Sequence, residues 1–195
     1  MDDLLKIINF LKLLNKFRDV KRVIYVKGSD RYENDVEHSY NLAMLSWYII
    51  NNSNLKLNLE LVLKYCLVHD LVEVYAGDTP IYTKDKEYKN NKEEREAEAA
   101  KKISKEFPEF GNLHELIEKY EKKEDPESKF VYALDKLEPA LVIYLDDGRT
   151  WKELGINIEM IKNEKEKKVE ISDVVKKYFG DFLELIEKDK DKLFH

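Results

Sequence analysis

The chain contains four histidines, and two of them stand beside an acid in apolar surroundings: Glu37-His38 and His69-Asp70. Imidazole and carboxylate can share a divalent cation, and both also serve general acid–base chemistry. His69, Asp70 and Glu73 fall within one predicted helix. Three- and four-residue spacing places Glu73 on the face shared by the other two. Their neighbours Leu67, Val68, Leu71 and Val72 belong to the most apolar stretch of the chain. Titratable groups in such surroundings are costly to desolvate without a partner. A divalent metal would satisfy them, and so would a hydrogen bond between the imidazole and a carboxylate; the dipeptide does not choose between these. Asp135 poses a similar alternative. It interrupts an apolar run (Phe130, Val131, Tyr132, Ala133, Leu134, Leu137) and at helical period faces either solvent or the interior. Its neighbours Lys136 and Glu138 read as surface residues.

These residues need helices to carry them, and nearly every segment has helical period. Leu4, Leu5, Ile8, Leu11 and Leu14 mark a first amphipathic helix, and a polar loop follows from Lys27 to Asn34. Asp35 is a candidate N-cap for a helix carrying His38, Leu42, Leu45 and Tyr48. Leu59 to Ala76 reads as one central buried helix, stopped by Gly77 and followed by the turn Asp78-Thr79-Pro80. Asp85 to Lys105 is mostly charge and reads as an exposed helix. Asp125-Pro126 opens a helix that runs through Asp135 to about Asp147 and ends at Gly148. Amphipathic segments over 157–179 and 181–193 complete the chain. With no repeat, linker or domain boundary, residues 1–195 are expected to form a single all-α domain, a compact helical bundle.

Composition sets the outer limits. The chain has 195 residues, and 34 basic against 40 acidic side chains give a net charge of −6, which disfavours nonspecific nucleic-acid binding. Only 6 Gly and 4 Pro leave too few turns for an all-β fold. The single Cys66 excludes an intramolecular disulfide and fits a reducing compartment. No apolar run approaches a membrane span, and the opening MDDLLKIINFLK does not have the form of a signal peptide, so a soluble, cytoplasmic protein is expected.

The ordered set Asn34-Asp35-Val36-Glu37-His38-Ser39, His69-Asp70-Leu71-Val72-Glu73-Val74, Gly77-Asp78-Thr79-Pro80 and Ala133-Leu134-Asp135-Lys136 resembles the HD-domain metal-dependent phosphohydrolases. Within them it is most similar to the small HD-domain 5′-nucleotidases that act on deoxynucleoside monophosphates. The resemblance spans about residues 11–147. It implies an HD-type helical bundle in which His38, His69, Asp70 and Asp135 hold a divalent metal. Cobalt, manganese or nickel would suit that set, zinc is possible, and magnesium fits less well. It further implies Glu73 as general base, Asp78 at the sugar or leaving oxygen, and Arg22 and Lys84 as cations for the substrate phosphate. The expected partner is a small nucleotide, with neither nucleic acid nor membrane, and relatives of this type are often dimers. One departure stands out: the bacterial enzymes place Trp directly after the phosphate-binding Arg, whereas Arg22 is followed by Val23, which leaves the preference for deoxyribose open. The rivals are an HD-type phosphodiesterase, a guanosine-pyrophosphate hydrolase, and a non-catalytic helical interaction protein with a vestigial metal site. Elsewhere, Cys66 reads as packing, His114 as surface, Trp47 and Trp151 as core or subunit interface, and the run Lys165 to Lys168 as a solvated face.

Overall fold

The computed structural model describes residues 1–83 and 85–194. Its spine is a helix over Pro126–Leu145 (α8 in chain order). The helix starts where Asp125 accepts the Ser128 backbone N–H at 2.7 Å, with Pro126 at the first helical position. Its Val131, Ala133, Leu134 and Ala140 have no exposed surface. Around it pack α2 (Asp35–Asn52), α3 (Leu59–Val68), α7 (Gly111–Lys122), α10 (Ile158–Val169) and α11 (Asp173–Lys188). The remaining elements are α1 (Asp2–Phe17), α4 (Glu73–Ala76), α5 (Lys86–Asn90), α6 (Lys92–Glu106), α9 (Arg149–Leu154) and α12 (Lys190–Phe194). The all-α reading therefore holds, with one small addition.

That addition is an antiparallel hairpin of β1 (Lys21–Tyr25) and β2 (Tyr32–Asn34), pairing Lys21 with Asn34 and Tyr25 with Tyr32. The sequence reading placed Tyr32–Asn34 in a loop, because three residues are too few to show a period of two. Asn34, not Asp35, caps α2. Its side chain accepts from Glu37 N at 3.0 Å while the Glu37 carboxylate accepts from Asn34 N at 3.2 Å, a reciprocal capping box. Asp35 becomes the first helical residue and is fully buried.

The expected central helix also breaks. After Val68 the chain passes through four turn residues, His69 to Val72, before α4 begins. Three-residue hydrogen bonds (Leu71 N to Val68 O, 3.1 Å; Glu73 N to Asp70 O, 2.9 Å) tighten the backbone there. Gly77 ends α4 at φ 74°, as expected of a glycine stop. Asn91 divides the charged segment between α5 and α6, and the chain turns at 170–172, so Asp181 lies inside α11 and does not begin a helix. Trp151 is core at 1% exposure, but Trp47 is 47% exposed and fills no core in this chain. His114 is half-buried, its Nε2–H donating to the Phe107 carbonyl at 2.8 Å. Cys66 packs as expected, 3.4 Å from the Ser46 hydroxyl. Among the described residues no helix is long and apolar enough to cross a membrane.

Gly148, between α8 and α9, has φ 73°, and a Cβ there would strike the Leu193 backbone. Gly148→Ala is expected to lower stability by about 2 kcal/mol. The check is urea unfolding, where the midpoint should fall with an unchanged slope.

Candidate metal centre

Three separate elements deliver the predicted ligands. His38 comes from the first turn of α2, His69 and Asp70 from the turn after α3, and Asp135 from the middle of α8. One donor atom from each lies within 4.8 Å of all the others. His38 Nε2 is 3.0 Å from Asp135 Oδ1 and 3.8 Å from Asp70 Oδ2. His69 Nε2 is 3.1 Å from Asp70 Oδ2 and 3.8 Å from Asp135 Oδ1. Asp135 thus faces the interior, which resolves the alternative left open by its helical period.

The far sides of the imidazoles decide what this cluster can hold. His69 Nδ1 is 3.0 Å from the Cys66 carbonyl, which can only accept, so the ring proton sits on Nδ1. Nε2 of the neutral ring then turns a lone pair toward two carboxylates, and it is buried with no hydrogen-bond partner. His38 repeats the arrangement, with Nδ1 at 2.9 Å from Glu138 Oε2. A lone pair facing carboxylates is relieved either by a bound cation or by a proton on the nitrogen. A histidine whose other nitrogen donates to a carbonyl or carboxylate is the usual form of a metal ligand. The donor set of two imidazoles and two carboxylates fits a divalent metal. Without one, His38 holds its own proton: burial and Arg22 lower its pKa, but Glu138 and Asp135 raise it to about 10.

Two further clusters have similar spacing, Glu33–His38–Glu138 and Asp35–Asp70–Glu73. The first is wholly buried and spends the outward-facing nitrogen of His38. The second already meets Arg22, whose Nη1 lies 3.4 Å from Asp35 and 3.1 Å from Asp70. The four-residue set with both imidazoles is the better cation site.

Around it stand the other candidates. Burial lowers the Arg22 pKa, but Asp70, Asp135, Asp78 and Asp35 together outweigh that and keep the guanidinium charged. Glu73 is 3% exposed, with Oε2 lacking any partner and Oε1 4.0 Å from Lys92 Nζ. Burial, followed by the charges of Asp70, Asp78 and Asp35, pushes its pKa well above the usual carboxylate range. Asp78 is raised as well, by burial first and against the pull of Arg22. It lines a largely apolar cavity together with Arg22 and Val23. Lys84 lies outside the described residues.

Several residues at the site escape a reading of the sequence. Glu138, taken as surface, is fully buried and orients His38; its place three residues after Asp135, on the same helix face, was the available signal. Lys136 is not plain surface either, because its ammonium is 2.5 Å from Asp135 Oδ2. Lys92 reaches Glu73 from an otherwise solvent-facing helix, and nothing in its local sequence marks it. Arg95 clamps the turn that carries Asp78. It donates to the Ala76 carbonyl, to Thr79 Oγ1 at 2.8 Å and to the Tyr88 carbonyl at 2.9 Å, and it stacks on the Tyr88 ring.

The HD domain family profile matches residues 14–175, and the chain belongs to the HD domain family. Its fold is similar to the crystal structure of a predicted metal-dependent phosphohydrolase from Magnetospirillum magnetotacticum MS-1. That similarity has a TM-score of 0.81 at 27% identity, covering 96% of this chain and 94% of that one. A conserved hypothetical protein from Pyrococcus furiosus shares the fold at a TM-score of 0.56 and 24% identity, over 93% of this chain and 99% of its own. No curated protein matches significantly. The chain is thus an HD-domain protein whose two imidazoles and two carboxylates converge in a cluster that could hold a divalent metal.

Because Glu138 fixes the His38 ring, Glu138→Gln is expected to weaken divalent-metal affinity about 10- to 100-fold. Competition against a chromophoric chelator would measure this, with circular dichroism verifying the fold.

Proposed function

We propose that the protein is a metal-dependent phosphomonoesterase that converts (deoxy)nucleoside 5′-monophosphates to nucleoside and phosphate. The observation that carries this reading is adjacency. Arg22 lies 3.1 Å from Asp70 of the four-ligand cluster and also lines the mainly apolar cavity with Asp78, while the buried Glu73 carboxylate clusters with Asp70. A divalent cation bound by His38, His69, Asp70 and Asp135 would supply an acidified water and a polarised phosphoryl oxygen.

Every other role falls to the chain. Glu73, buried and crowded by Asp70, Asp78 and Asp35, has a raised proton affinity and is suited to take the proton of the attacking water. Arg22, held charged by surrounding carboxylates, binds the phosphate. The guanidinium reaches Asp70 from β1, so a phosphate at the cluster lies within its range. Asp78 retains a proton more readily than an exposed aspartate and sits where the cavity meets Arg22, the position for the sugar or the leaving oxygen. The cavity takes the leaving group.

The test strips the protein of metal and reloads it separately with cobalt, manganese, nickel, zinc and magnesium. Phosphate release is then followed from paired ribo- and deoxyribonucleoside 5′-monophosphates, with a 3′-monophosphate and a cyclic nucleotide as controls. Release confined to the 5′-monophosphates is expected, strongest with cobalt, manganese or nickel; activity on the cyclic nucleotide alone would sink the reading. Glu73→Gln should lower kcat about 10²- to 10⁴-fold while retaining metal, and equal rates would remove Glu73 from the role of base.

A further inference from the structure

The cavity beside the metal centre contains a group that hydrolysis does not use. Its walls are mostly apolar, with Val23 from β1, Ile81, Pro139 from α8 and Trp151 from α9, and Lys165 of α10 is also part of the lining. The sequence placed Lys165 on a solvated face; it is instead 3% exposed. An ammonium carries three N–H donors. One is spent on the Lys136 carbonyl at 2.6 Å, and among the described residues no carboxylate lies within 4 Å of Lys165 Nζ. The charged groups around it are Lys136 and Asp135 on α8 and Lys168 and Glu164 on its own helix. Burial and then Lys136 reduce its pKa to about 7, as expected of an ammonium without a counter-ion.

A second orphan lines the same cavity. The Tyr82 hydroxyl is buried and has no hydrogen-bond partner among the described residues. Buried donors are normally satisfied, and two unspent ones on a single apolar cavity call for a ligand that brings the acceptors. Arg22 shares the wall and, on the nucleotidase reading, takes the phosphate, which leaves these two donors to the uncharged part of the substrate. A flat, uncharged ring bearing an oxo group satisfies both the apolar surfaces and the donors.

We propose that Lys165, assisted by Tyr82, reads an exocyclic oxygen of the leaving group, so that the cavity selects nucleoside 5′-monophosphates with oxo-substituted bases over adenine. This rests on the nucleotidase reading and deepens it. Inosine and adenosine 5′-monophosphates have the same shape and differ only along the N1–C6 edge, N1–H and 6-oxo against bare N1 and 6-amino, so they confine the comparison to that edge. The wild-type protein should favour the inosine compound in kcat/KM by about tenfold, the worth of one such hydrogen bond. In Lys165→Met that ratio should collapse toward one, and Tyr82→Phe should move it the same way by less. Calorimetric binding of the product nucleosides, inosine against adenosine, should show the same loss of preference without reference to turnover. Should Lys165→Met not fold, Lys165→Gln and Tyr82→Phe carry the comparison. A wild-type ratio near one, or a ratio unchanged in the variants, overturns the proposal and leaves Lys165 as a tether of α10 to α8. If the wild-type protein neither hydrolyses the monophosphates nor binds either nucleoside, the nucleotidase reading falls, and this proposal with it.

Discussion

Five carboxylates converge where little water can reach them, and the chain must arrange enough positive charge to hold them there. Asp70 and Asp135 face the same pair of imidazole nitrogens, while Asp35, Glu73 and Asp78 stand close enough to raise one another's proton affinity. The cations arrive from different places: Arg22 from the hairpin, Lys136 from the helix that carries Asp135, and Lys92 from the start of α6. Their distribution is uneven, and that divides the acids into two kinds. Asp70 and Asp135 lie against histidine, arginine or lysine and are held well below the usual carboxylate range despite burial. Glu73 has only a distant lysine and moves the other way. Such a division gives ionised ligands beside a carboxylate able to accept a proton, which is how one site supports both roles.

The fold places these groups on elements with little freedom. His38 sits one turn inside α2, behind a capping box that fixes where the helix begins. His69 and Asp70 are held by the tightened turn after α3, whose three-residue hydrogen bonds replace the helical ladder over that stretch. Asp135 and Glu138 project from α8 at a spacing that brings both against His38, one on each ring nitrogen. Arg95 grips the 76–79 turn through two acceptors and ties it to the Tyr88 carbonyl of α5, so Asp78 is carried by a clamped segment although no regular element contains it. Precise sites are built from rigid supports, and here the supports are hydrogen bonds made several residues away from the chemistry.

Much of this is legible in the chain before any coordinates. The four ligands are marked by residue type against an apolar background, since a buried acid or imidazole is conspicuous where its neighbours are leucine and valine. Gly77, Gly148 and the Asp125-Pro126 start are equally plain, because each reflects a local backbone requirement. What escapes is whatever depends on a partner distant in sequence. Glu138 looks like surface until His38, 100 residues earlier, is placed against it. Lys165 sits in a run of lysine and glutamate whose period suggests a wet face, yet α10 packs on α8 and turns that one ammonium inward. The break at His69 leaves no mark either, since no glycine or proline interrupts the apolar stretch.

The same reasoning bears on Val23. The resemblance calls for a tryptophan at that position, beside Arg22, and its absence leaves the preference for deoxyribose open when the sequence is read alone. In the folded chain the cavity still has aromatic walls, supplied by Tyr82 and by Trp151, which stacks on Phe194. Trp151 is 1% exposed and anchored on both sides, so it is a fixed boundary and not a movable lid. The shape that a leaving group meets is therefore set by residues well over a hundred positions apart. A motif read at position 23 describes one part of that lining, and Lys165 and Tyr82, which no local motif marks, describe another.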